Sequence, residues 1–376
     1  MKTLVITITC LFIFCLSGFT QINIPLIRAM SRSVDIRINN NLHKGIWAIS
    51  PEIKPDVFPV SEKNARVTFL TDADSITFRV KKDRHYDFVI LLNGKDSALT
   101  RVLYAEPNLE RLKKGRKYDR NDLTPIPQFT YQPASDTALS RLRTTFNLDS
   151  IAGKGTDAMR FISLVHWVHN LFPHAGLLDN PEPQTAMNMI SVCKKENRGL
   201  NCMGLAIILN ECYLSLGYKS KFVWCMSKDS IINEAHWITV VWSPEMKRWI
   251  WMDPTFDAYV MDDRGSLLGI KEVREKLIRG EAMIVNPDAN WNHTRAPTLE
   301  NYLKNYMAGE LYRMRCPVHS EYDAMALSDA KPLEMVELMP LDAYNQKPKI
   351  DKKTRDGKTR IYYKTNNPEL FWAEPR

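Results

Sequence analysis

Three side chains in the middle of the chain have the types that nucleophilic catalysis needs. Cys202 stands in Leu200-Asn201-Cys202-Met203-Gly204, His236 in Glu234-Ala235-His236-Trp237, and Asp253 in Trp251-Met252-Asp253-Pro254-Thr255. A cysteine attacks as its thiolate, so it needs a nearby base and surroundings that favour negative charge. Histidine has the proton affinity for that base, and a carboxylate can orient its ring. The expectation is a nucleophile at Cys202, its base at His236 and an orienting carboxylate at Asp253.

Local patterning says how these residues could meet. Cys202 follows a polar, glycine-containing approach and opens an apolar run (Leu205, Ile208, Leu209, Cys212, Leu216) at helical spacing, closed by Gly217. That places it in the first turn of an amphipathic helix, where unpaired N–H groups and the helix dipole favour a thiolate. The competing reading is a small core residue, the ordinary role for Cys212 in the same run. Residues 235–242 read as a strand with His236, Ile238, Val240 and Trp242 on one face, and 247–253 as the returning strand. Closure about Pro244-Glu245 would pair Trp242 with Lys247, Val240 with Trp249, Ile238 with Trp251 and His236 with Asp253. Directly opposed residues of this kind have Cβ atoms about 5 Å apart. A one-residue slip would turn the two functional side chains to opposite faces. The competing reading is a His–Asp pair that merely caps a sheet.

The order of Cys202, then His236 in Ala-His-Trp-Ile, then Asp253 in Trp-Met-Asp-Pro-Thr resembles the transglutaminase-like superfamily, relatives of papain-type cysteine peptidases. Residues 205–219, ending in Leu-Gly-Tyr-Lys, are similar to that family's helix after the nucleophile, and Phe222-Val223-Trp224 to the strand that follows. The resemblance covers 157–259, under a third of the chain. It implies a Cys202 nucleophile, His236 as base and acid, Asp253 as orienter, and a protein, peptide or amide substrate passing through a thioester. The backbone N–H of Cys202 could supply one oxyanion donor. No upstream glutamine or tryptophan is assigned as the second, and Trp167 is a weak candidate. Trp224, Trp237, Trp242, Trp249 and Trp251 crowd the sheet and read as core.

The fold these elements imply is α+β. A papain-like/transglutaminase-like core, its cysteine helix packed on an antiparallel sheet bearing histidine and aspartate, follows a small antiparallel β module. The expected organisation is a signal peptide at 1–20, a β-rich module at 30–115, a linker at 116–135, a catalytic domain at 136–300 and a C-terminal elaboration at 301–376. In the module, 66–70 and 75–80 alternate as strands around a turn, 86–92 reads as a strand buried on both faces, and Asn93-Gly94 marks a hairpin turn to 98–104. Helices are expected at 157–171, 186–196, 270–279 and 299–312, and a short strand at 335–339. No chemical role is assigned after the site.

Composition narrows the class. With 44% hydrophobic and 25% charged residues the chain is a globular one. Its net charge of +8 reads as scattered surface lysines, with no nucleic-acid motif. Met1-Lys2, the apolar run 4–16 and the small residues before Thr20 read as a secretory leader, which implies export to the periplasm or beyond and no integral membrane segment after its removal. Cys15 follows Phe14, which argues against a lipid anchor. Five cysteines lie beyond the leader, an odd number that leaves at least one thiol unpaired. No cofactor is expected. Asp72, Asp74 and Asp96, and separately His166, His169 and His174, are weak metal candidates, read rather as turn caps and half-buried histidines. Amide hydrolysis is favoured over crosslinking transamidation. The rival class is a binding or scaffold protein that keeps the fold without the chemistry.

Overall fold

The computed structural model describes residues 24–115, 117–228, 235–294, 298–326, 331–343, 345–355 and 357–376. The leader and Glu234 lie outside them. The described chain forms two units, which divide after Ala105.

The first unit is all β. One four-stranded sheet runs in the order Leu26–Ala29, His85–Leu92, Asp96–Tyr104, Asp56–Val60. The other runs Asn41–Ala48, Ser33–Ile38, Arg66–Leu70, Ser75–Arg79. Both contribute to one core, where Phe58, Phe69 and Phe88 meet edge to face. The module is not wholly antiparallel: Leu26–Ala29 pairs parallel with His85–Leu92, and Asp56–Val60 parallel with Asp96–Tyr104. Sequence alternation gives the face of a strand but carries no direction of pairing, which explains the difference. The strand His85–Leu92 also departs from expectation. Phe88, Ile90 and Leu92 are buried, while its other residues are only partly so or exposed. Asn93 and Gly94 both take positive φ at the hairpin turn, as the Asn-Gly pair requires.

The second unit is mixed α+β. Its seven-stranded sheet has the order Arg248–Met252, Ala235–Ser243, Ser220–Met226, Arg313–Pro317, Leu333–Leu338, Lys358–Thr365, Ile350–Arg355. All neighbours are antiparallel except Leu333–Leu338 with Lys358–Thr365. Ile350–Arg355 and Lys358–Thr365 pair as a hairpin at the edge of the sheet. The helices Thr137–Thr145, Asp157–His169 and Ala186–Glu196 pack on the helix Cys202–Ser215, which lies on the strand Ala235–Ser243.

That central helix corrects the amphipathic expectation. Every residue from Gly204 to Ser215 is buried, because helices cover the side turned away from the sheet. Burial of this kind is worth about 1.5–3 kcal/mol for each large aliphatic side chain, and it holds the helix start in place. The flanking helices start at threonine caps, and the first ends at His169, short of the expected 171. Thr156 and Thr185 cap Met159 and Asn188, and Asn197 closes the second of them with φ 49°.

Two further contacts frame the unit. The ammonium of Lys221 is buried within 4.0 Å of the Phe129 ring centroid, near Trp249, Phe371 and Trp372, and donates to the Phe371 carbonyl at 2.8 Å. Asn366 and Asn367 bond to the segment entering the unit: Asp119 N–H reaches the Asn366 carbonyl at 2.9 Å, and Asn367 Nδ2 reaches the Arg120 carbonyl at 2.9 Å.

Candidate active site

Cys202 is the first residue of its helix, and Asn201 is the N-cap. Asn201 Oδ1 accepts the Gly204 N–H at 3.2 Å and Asn180 Nδ2 at 2.7 Å, while its own Nδ2 donates to the Leu178 carbonyl at 3.0 Å. Such a cap is worth about 1 kcal/mol. Here it also fixes the orientation of the first turn, and hence of the Cys202 side chain and backbone N–H.

His236 and Asp253 meet, but in a different register from the expected one. The hairpin pairs Ser243 with Arg248, Trp242 with Trp249, Val240 with Trp251 and Thr239 with Met252. The turn is centred one residue later than Pro244-Glu245. Ser243 Oγ caps the Met246 N–H at 3.0 Å, Asp157 Oδ2 holds Ser243 Oγ at 2.7 Å, and Lys247 closes the turn at φ 50°. Moving the centre by one shifts every pair by two, so both side chains stay on one face. His236 and Asp253 become diagonal neighbours, still within reach of long side chains. His236 Nε2 and Asp253 Oδ2 are 2.8 Å apart, and both residues are essentially inaccessible to water.

Asp253 leaves the strand ladder at its own position. Its backbone N–H and carbonyl pair with Ala258, at 2.8 and 3.0 Å, and its Oδ1 accepts the Thr255 N–H at 2.9 Å. Oδ2 accepts a second hydrogen bond, from Tyr302 Oη at 2.6 Å. Tyr302 comes from a π-helical turn, Leu299–Met307, where an ordinary helix was expected. The same turn brings the Tyr306 ring 5.5 Å from the His236 ring, with Phe256 5.8 Å away. Nothing in the sequence pattern of 299–312 pointed to these contacts.

The electrostatics separate Cys202 from the other cysteines. Burial pushes its thiol up, but hydrogen bonds from His174 and His236, the charge of His236 and the Trp237 backbone N–H bring it down to about 6. Burial likewise opposes charge on His236, yet the Asp253 charge and hydrogen bond, reinforced by Cys202, hold its imidazolium up to about 10. A thiolate–imidazolium pair follows. Burial raises the thiols of Cys193, Cys212, Cys225 and Cys316, and all five described cysteines are unpaired.

His174 is the residue the sequence did not place. It was one of three candidate metal histidines, yet its imidazole lies against Cys202. The other two are engaged elsewhere. His166 Nδ1 meets Asp257 Oδ2 at 2.6 Å, and His169 contacts the Pro254 carbonyl at 3.0 Å and Asn290 Oδ1 at 2.9 Å. Asp72 and Asp74 cap backbone N–H groups of Met30, Ser31 and Arg28. Among the described residues no group of three or more His, Cys, Asp or Glu side chains is arranged to hold a metal ion. Trp167, the weak oxyanion candidate, packs on Phe146 with ring centroids 5.7 Å apart.

Comparison with known proteins adds little to this geometry. No family model matches the chain, and no curated protein matches it. Among solved structures, a candidate cysteine protease from Cytophaga hutchinsonii aligns at 13% identity over 48% of this chain and 65% of that one, with a TM-score of 0.26. The chain therefore spans about two thirds of that protein's length. EGTA-treated LapG from Legionella pneumophila aligns at 11% identity over 35% of this chain and 74% of that one, with a TM-score of 0.24. Red sea bream transglutaminase aligns at 10% identity over 67% of this chain and 52% of that one, again with a TM-score of 0.24. At such scores these neighbours assign neither an activity nor a substrate.

Proposed function

We propose that the protein is a cysteine acyl-transfer enzyme that cleaves an amide through a thioester, with Cys202 as nucleophile, His236 as base and acid, and Asp253 as orienter. The observation that carries this reading is the His236–Asp253 pair, 2.8 Å apart and sealed from solvent, beside a helix-start cysteine whose thiol is brought down to about 6. Asp253 holds His236 by Nε2, which leaves Nδ1 as the nitrogen that exchanges a proton with the nucleophile. Attack forms the C–S bond and moves the carbonyl π pair onto oxygen. Collapse returns that pair and breaks the C–N bond, while His236 gives its proton to the departing amine. Water then adds to the thioester, giving a proton to His236, and the C–S bond breaks to release the carboxylic acid and restore the thiolate. Hydrolysis is the simpler outcome, since water needs no acceptor site of its own.

A thiol-directed acyl-amide probe tests the assignment. Labelling should vanish in Cys202→Ala and fall in His236→Ala; labelling unchanged in Cys202→Ala refutes the nucleophile and leaves the scaffold reading. Amide substrates offered with a labelled amine separate the two fates of the thioester, because product that is transamidated only would overturn hydrolysis. We also propose export, on the leader at 1–20. No helix of the described residues is long and apolar enough to cross a membrane.

A further inference from the structure

We propose that His174 is a catalytic residue, the second donor to the oxyanion, acting through Nε2–H beside the backbone N–H of Cys202. The proposal rests on the acyl-transfer reading above and supplies the donor that the motif comparison left unassigned.

Its placement is built, from three directions. First, the chain around His174 lies along the approach to the nucleophile. Ala175 N–H donates to the Leu200 carbonyl at 2.7 Å and Leu200 N–H to the Pro173 carbonyl at 3.3 Å, so His174 and Leu200 form a parallel bridge. Gly199 permits this approach: a Cβ there would lie 2.3 Å from the Pro173 carbonyl oxygen and 2.9 Å from Ala175 Cβ. Second, Asn292 grips the His174 backbone at both ends. Its Oδ1 accepts the His174 N–H at 2.6 Å and its Nδ2 donates to the His174 carbonyl at 3.0 Å. Third, Trp291 Nε1 stands 3.3 Å from His174 Nδ1.

The last contact decides the tautomer. An indole N–H only donates, so Nδ1 of His174 accepts and the ring proton of the neutral imidazole sits on Nε2. The ring therefore has a donor to offer Cys202 and no lone pair to take its proton. His236 is held the other way, with Nε2 engaged by Asp253 and Nδ1 left to exchange a proton. Two histidines thus face one sulfur with opposite ring nitrogens engaged elsewhere, and their roles divide accordingly. His236 moves the proton. His174 donates first to the thiolate and then, as the C–S bond forms and the carbonyl π pair shifts to oxygen, to the new oxyanion. A positioned neutral donor of this kind is worth about 10²–10³ in rate.

The test exploits a reaction of the same sulfur that makes no oxyanion. Iodoacetamide alkylates Cys202 by direct displacement, whereas 4-nitrophenyl acetate acylates it through a tetrahedral intermediate. Both rates are measured on the full chain at the alkaline plateau, where the thiolate population no longer differs between variants. In His174→Ala, acylation should fall about 10²–10³-fold while plateau alkylation stays within a few-fold of wild type. His174→Gln, which keeps a neutral donor, should recover most of the acylation rate. Equal losses in both reactions, unchanged acylation in His174→Ala, or a loss that glutamine does not restore each overturn the role. A wild-type protein that is alkylated but never acylated sinks the acyl-transfer reading itself, and the role of His174 with it.

Discussion

Tyr302 Oη stands 2.6 Å from Asp253 Oδ2, the same oxygen that holds His236. Trp251 Nε1 in turn donates to Tyr302 Oη at 3.2 Å. A carboxylate with no access to water is thus supplied with donors on both oxygens, which is the condition for keeping it charged. Tyr302→Phe removes one donor and leaves the Trp251 indole unpaired. It should cost about 1.5–3 kcal/mol of stability, read as a lower denaturation midpoint. Activity should fall less than in Asp253→Asn, which disturbs the His236 tautomer and should cost about 10²–10⁴-fold. Equal losses in the two variants would show that Asp253 acts only through structure.

The pH profile follows from the two shifts. The Cys202 thiol is down at about 6 and the His236 imidazolium up at about 10, so the ion pair should persist between those limits. Alkylation by iodoacetamide should climb through about pH 6 and stay level into the alkaline range. His236→Ala removes both a hydrogen bond and a charge from the sulfur, and its alkylation midpoint should move up by a unit or more, towards about 8.5 for an ordinary thiol. A wild-type profile that rises only above pH 8 would rule the pair out.

Gly204 gives a test of the helix start. Replacing a helical glycine by alanine ordinarily stabilises by about 1 kcal/mol. Here the new Cβ would lie 2.6 Å from Asn180 Oδ1, which accepts the Asn201 N–H at 3.2 Å. Asn180 must move, and the N-cap residue loses a partner on each side. Gly204→Ala should therefore destabilise the fold and raise the alkylation midpoint of Cys202. A gain in thermal stability with an unchanged midpoint would refute the link between cap and nucleophile.

Glu211 carries a stability prediction away from the chemistry. Burial raises its carboxyl from 4.5 to about 8, against the hydrogen bonds from Ala186 N–H and Asp323 N–H. With the folded value above the unfolded one, its contribution is complete below about pH 4.5 and is lost as pH rises through about 8. Glu211→Gln does not titrate. Its deficit in melting temperature against wild type should be largest near pH 5 and shrink towards pH 8. A deficit that grows over that interval contradicts the raised carboxyl.

What the sequence made legible were the local decisions. The helix start at Cys202, the helix Ala186–Glu196 and the strand of His236 follow from capping residues and periodicity. The meeting of His236 with Asp253 was foreseen through the wrong pairs. It survived because the turn chemistry of Ser243, Asp157 and Lys247 moves the register by an even number. His174, Asn292 and Tyr302 were not legible as site residues. Their contacts with the site span long stretches of chain, and no spacing rule connects a histidine after a proline or a tyrosine in a helical run to a partner so far away. The parallel pairings of the first unit were hidden because alternation carries no direction of pairing.

The stitching of Asn366 and Asn367 to the chain near Asp119 and Arg120 has a topological consequence. Where the strand of polymer enters the second unit it lies against where it leaves, so the unit is close to a ring. A circular permutant could join those two crossings with a short linker and open the polymer at the exposed Asp263-Arg264 turn. Trp291, Asn292 and Tyr302 would then be translated before Cys202, His236 and Asp253, whose own order is kept, with every contact around them unchanged. On this view the order of translation is incidental to the site, and which crossings are stitched together is what defines it.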